Sequence, residues 1–126
     1  MSGHTFIVSG DPAKARDTVF TILRRKYFTV HRIGEWSATA DRGSKGLSWA
    51  FGALPGKEGR YIKLLIDCGI DPAKNNVITV QEADVNIPGT TWLAKEQVQA
   101  VVHEVYSAIV EAYKNAGVLI AGGTLR

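Results

Sequence analysis

The side chains in this chain with chemistry to offer are three histidines, one cysteine, and a serine one helical turn from a histidine. His4, His31 and His103 lie far apart, and no HxxxH or CxxC spacing sets two metal-binding side chains side by side. Neither a metal nor a cofactor is therefore expected. His103 and Ser107 stand four apart, so on a helix they can touch. Acyl transfer by such a pair also needs a carboxylate behind the histidine and an oxyanion hole in a cleft. Glu104 and Glu111 share the same polar flank, and a solvated helix face accounts for all four residues. No catalytic residue is assigned, and an enzyme is the least favoured reading. Cys68, inside the run YIKLLIDC, reads as a buried strand thiol rather than a nucleophile.

Two further stretches suggest binding rather than catalysis. The turn Arg42-Gly43-Ser44-Lys45, followed by Gly46, offers backbone N–H groups, a hydroxyl and two cations to an anion. It is not a phosphate-binding Walker loop, because strands rather than a strand and a helix flank it. A polar hairpin turn explains the same residues more simply. Beyond it, Leu47, Trp49 and Phe51 alternate with Ser48, Ala50 and Gly52, a strand with one large and one small face. On that reading Trp49 and Phe51, with Trp36, Val105 and Ile109, line a core or an apolar cavity.

The element that must hold such a cavity shut is the run Ala94 to Ala116. Val98, Val101, Val102, Val105, Ile109, Ala112, Tyr113 and Ala116 recur three and four apart, which sets them on one side of a helix. Glu96, Gln99, His103, Glu104, Ser107, Glu111, Lys114 and Asn115 take the other side. Gly117 supplies a left-handed stop. A helix of this length reaches roughly 33 Å, enough to cross a small sheet.

The rest of the chain supplies the sheet. Thr5 to Ser9 forms a short strand, and Asp11-Pro12 starts a helix with Asp11 as N-cap. Ala15, Val19, Ile22 and Leu23 give that helix its buried side, and Arg24, Arg25 and Lys26 close it near the negative end of its dipole. Val30 to Asp41 reads as one strand bent at Gly34, and Arg60 to Cys68 and Val77 to Asp84 as two more. Asp71-Pro72-Ala73-Lys74 is a loop. These elements predict an α+β domain: a five-stranded, mainly antiparallel sheet in the order β-α-β-β-β-β-α, with both helices on one face. A single domain is expected over residues 1–119, and residues 120–126, with Gly122 and Gly123, as a loose tail.

This order resembles the β-α-β4-α topology of TATA-binding-protein-like domains and the helix-grip folds of START and Bet v 1-like proteins. The resemblance covers the whole chain and carries no motif. The hairpin ATADRGSKGLSWAFGAL is similar to one in small uncharacterised bacterial proteins, and implies no activity.

At 126 residues and 45% hydrophobic the chain is long enough to fold without a disulfide or metal. A single cysteine, and no basic leader with a long apolar core ahead of Thr5, point to the cytoplasm. No apolar run approaches the roughly 20 residues of a transmembrane segment. The leading expectation is a binding module for a small apolar ligand, or a self-associating module, acting as a homodimer. The alternative is nucleic-acid binding through the open sheet face, which the topology and the net charge of +3 suggest. That face would carry Glu35, Asp41 and Asp67 against Lys63, a balance that repels phosphate, so no nucleic acid is expected. If Asp11 caps the first helix, Asp11→Ala should cost about 1 kcal/mol in denaturant melts. A loss below about 0.3 kcal/mol would place the helix start elsewhere.

Overall fold

The computed structural model describes residues 3–42, 62–83 and 92–125. Among them the chain runs through β1 (Gly3–Val8), α1 (Pro12–Arg25), β2 (Thr29–Arg32), β3 (Ser37–Arg42), β4 (Ile62–Ile70), β5 (Asn76–Glu82), α2 (Trp92–Asn115) and β6 (Leu119–Leu125). The six strands form one sheet in the order β2-β3-β4-β5-β1-β6, and every neighbouring pair is antiparallel. The α+β class, the antiparallel sheet and the β-α-β4-α order therefore hold, with one strand appended.

Among the described residues the strands number six rather than the five predicted: two are added, and one predicted strand falls outside those residues. The bent strand predicted through Gly34 is a hairpin: β2 and β3 pair with each other, Thr29 opposite Asp41 and Arg32 opposite Ala38. Bending the chain at Gly34 lets each half satisfy the other's backbone groups, and the N–H groups of Ile33 and Gly34 both donate to the Ser37 carbonyl. The tail expected to be loose is β6, which pairs along β1 from Leu119 to Leu125. β1 thus lies inside the sheet, between β5 and β6. The predicted strand around Trp49 and Phe51, and Gly43, Ser44 and Lys45 of the turn, lie outside the described residues.

Both helices cover one face. Phe6 and Val8 of β1, Ala38 and Ala40 of β3, Ile62, Leu64 and Ile66 of β4, and Ile78 and Val80 of β5 alternate onto it and are buried. Against them α1 packs Ala15, Val19, Phe20 and Leu23, and α2 packs Val101, Val102, Val105, Ile109 and Tyr113. The predicted helix phase is the observed one, since Gln99, His103, Glu104, Ser107, Glu111 and Lys114 are all exposed. Two phenols two turns apart on α2 hold its register. Tyr106 donates to the Val80 carbonyl at 3.2 Å, and Tyr113 to the Ala15 carbonyl of α1 at 2.6 Å.

Helix ends follow local chemistry. The Asp11 carboxylate accepts from the Lys14 N–H at 3.2 Å, as an N-cap should. Both helices stop in the same way, with a residue of positive φ bracketed by a bond that reaches back five residues. The Phe28 N–H donates to the Leu23 carbonyl at 2.9 Å and the Val118 N–H to the Tyr113 carbonyl at 3.1 Å. In α2 the left-handed residue is Gly117, but in α1 it is Tyr27, at φ +70°. A side chain there carries a steric cost of roughly 1 kcal/mol that glycine avoids. Its ring is 80% exposed and lies 6.0 Å from the Arg42 guanidinium, a contact too solvated to offset that cost. Tyr27→Gly should accordingly gain about 0.5–1 kcal/mol in a denaturant melt. A loss would show that the ring's contact with Arg42 outweighs the backbone strain.

Candidate functional site

A groove of about 450 Å³ runs between the flank of α2 and the start of β1. Its origin lies in the edge strand. On the helix-facing side of β6, Gly122 stands opposite Phe6 and offers α2 no side chain. Among the described residues, position 122 thus leaves the outer flank of α2 without a side chain beneath it. His4 lies over the vacancy, so that a Cβ added at Gly122 would come within 3.2 Å of the imidazole Nε2.

The walls are chemically divided. Val102, Tyr106 and Val110 form an apolar back, while Gln99, His103, Ser107 and Glu111 form a polar rim along one side of α2. Gly3 and His4 of β1 close the opposite side. The His4 ring stacks on Phe6 at 4.6 Å and meets Tyr106 at 5.3 Å. Burial disfavours its protonated form and lowers its pKa from the ordinary 6.5. Burial first, and then the Glu82 carboxylate, push the Tyr106 phenol up to about 12, so it stays a donor to Val80. Gln99 donates to Glu82 at 2.7 Å, which ties the rim of α2 to the end of β5.

The structure scatters the residues singled out in the sequence. Val105 and Ile109 are fully buried in the core between helix and sheet, one helix face away from the groove. Trp36 lies in the turn between β2 and β3, 38% exposed, with the Arg16 guanidinium 5.0 Å over its ring. Trp49 and Phe51 are outside the described residues. Arg42, the described member of the anion-binding turn, donates to the Lys26 carbonyl at 3.2 Å and helps close α1. Cys68 is half-buried beside the core, and burial raises its thiol pKa to about 11, the state of an inert thiol.

His103 and Ser107 do meet in the groove, yet among the described residues no hydrogen bond joins them. One turn behind His103 stands Gln99, whose side-chain amide is engaged with Glu82. Among the described residues no three histidine, cysteine, aspartate or glutamate side chains could hold a metal ion, and no helix is long and apolar enough to cross a membrane. Sequence reasoning passed over His4, Tyr106 and Val110. Tyr106 and Val110 flank the predicted stripe by one position each, and a fatter apolar sector at the middle of α2 was the signal available. For His4 the signal was tertiary.

The face turned away from the helices carries Ser37, Thr39, Asp41, Lys63, Leu65, Asp67, Thr79 and Gln81, as alternation required. His31 also lies there, 3.4 Å from Asp41. No protein family matches the chain, and no characterised protein matches it either.

Because His4 is harder to protonate folded than unfolded, the unfolded chain binds more protons between the two pKa values. Stability on this account is complete above pH 6.5 and is lost as pH falls from 6.5 through the lower folded value. His4→Phe keeps the stacking and removes the titration. Denaturant melts at neutral and mildly acidic pH should show the wild type losing more stability than the variant on acidification. Parallel losses would clear His4 of the effect.

Proposed function

We propose that the chain is a non-catalytic binding module that holds a small, largely apolar molecule in the groove between α2 and β1. The observation that carries this reading is the groove itself. Its volume of about 450 Å³ falls within the range of small-molecule sites, and its apolar back and polar rim divide as such sites do. Val102, Tyr106 and Val110 would take the apolar body of the ligand, and His103 and Gln99 a polar end. Gln99, one turn from His103, donates to Glu82, so the rim offers amide, imidazole and hydroxyl groups that suit a polar end of a ligand.

Nucleic-acid binding through the open sheet face is the weaker alternative. Asp41 and Asp67 flank Lys63 on that face, and a phosphate backbone would meet more negative than positive charge. We further propose a homodimer, on the surface argued below. A reducing cytoplasmic setting is proposed on the strength of the single, half-buried cysteine.

The test uses the fluorescent probe 1-anilinonaphthalene-8-sulfonate and the ten-carbon acid decanoate under native conditions. Saturable probe binding, displaced by decanoate and weakened roughly tenfold or more by Val110→Trp, is expected, since the indole fills the apolar back. The variant's unfolding midpoint should stay close to that of the wild type. Binding that is non-saturable, or equal in wild type and Val110→Trp, would remove the groove as the site.

A further inference from the structure

The two edges of the sheet are built differently. β2 is short, Thr29–Arg32, and exposes His31 and Arg32, which is how proteins keep strands from pairing with other chains. β6 has seven residues, LIAGGTL, with no charge and no proline. Among the described residues nothing pairs with its outer side, and Ile120, Ala121 and Gly122 are exposed. Among the described residues such an edge presents a row of unpaired N–H and C=O groups, with neither charge nor proline in the strand to deter a partner.

We infer that β6 pairs antiparallel with β6 of a second copy about a two-fold axis, joining two six-stranded sheets into one. The centre of the seven-residue strand is Gly122, which meets its own counterpart on the axis without steric demand. A second copy is favoured over a foreign strand by what the axis does to the groove walls. His4 sets Tyr106 and Gly122 at one level, through its ring contact with Tyr106 and its approach to Gly122. His103 lies one turn to one side of Tyr106 and Glu111 more than a turn to the other. The axis therefore turns the His103 end of each α2 toward the Glu111 end of its mate, bringing imidazole toward carboxylate on both sides of the axis.

The same operation closes the groove. Strands spaced about 4.8 Å apart put the two β1 strands ~14 Å apart across the β6 pair. Helices in direct contact sit about 8–10 Å apart, so helices standing over the β1 strands leave a chamber between them, floored by β6. That chamber rests on the groove being a ligand site; the strand pairing does not.

Sedimentation equilibrium of the full chain without ligand tests the pairing. A dimer is expected, with Ala121→Lys raising its dissociation constant roughly tenfold or more by setting like charges beside the axis. Leu65→Lys, on the open sheet face, should leave it unchanged. Hydrogen exchange on the unmodified chain gives a reading that no variant's folding affects: amides of residues 119–125 should exchange faster on dilution, while those of β2 should not. A chain that stays monomeric at high concentration overturns the interface, and if it still binds the fluorescent probe, the groove reading survives alone. A dimer lost in Leu65→Lys and kept in Ala121→Lys would overturn the edge and move the contact to the sheet face.

Discussion

The rest of this structure depends on one helix being held in register by two buried phenols. Tyr106 and Tyr113 are seven residues apart, so both point down from α2, and each hydroxyl reaches a carbonyl in a different element. One bond goes to β5, the other to α1. A buried hydroxyl without a partner would cost roughly 1–3 kcal/mol, so sliding α2 by a single turn is opposed twice. On the same side of the helix Val105 and Ile109 are fully buried in the core. Apolar burial supplies most of the free energy of this contact, but burial is indifferent to direction. The hydroxyls give the helix its position along the sheet, and with it the position of everything on its flank.

The groove follows from that placement and from what β6 lacks. A sheet edge with a side chain at position 122 would push on His4 and meet the Phe6 ring. With glycine there, the described residues leave a groove beside α2, and its Gln99, His103, Ser107 and Glu111 become a wall. The half-buried histidine at the mouth owes its lowered basicity to the same geometry. Site and fold are thus continuous: the groove lies where the flank of α2 passes over β1 beside a strand with glycine at position 122.

The sheet edges carry opposite chemistry for related reasons. At the β2 end, Arg32 lies 5.9 Å over the buried Phe20 ring and also donates to the Glu35 carbonyl, so charge at that edge is part of the packing. At the β6 end the strand LIAGGTL carries no charged residue.

From the sequence alone, whatever depends on short-range spacing was legible. The periodicity of residues 98–113 gave the buried side of α2, Asp11-Pro12 the start of α1, Gly117 the end of α2, and period-two alternation the polar make-up of the open sheet face. Each is a property of neighbours within a few residues, where sterics and hydrogen bonding act without knowledge of the fold. Tertiary structure decided the rest. Gly122 and Gly123 weaken a strand's own preference, so residues 119–125 form one only because β1 offers a template. The hairpin at Gly34 is chosen over a bend because the two halves satisfy each other's backbone. His4 becomes part of a site only when β1 is inserted between β5 and β6 and α2 is laid across it. These outcomes rest on contacts between residues up to about 120 positions apart, such as His4 opposite Thr124, and no local pattern encodes such a contact.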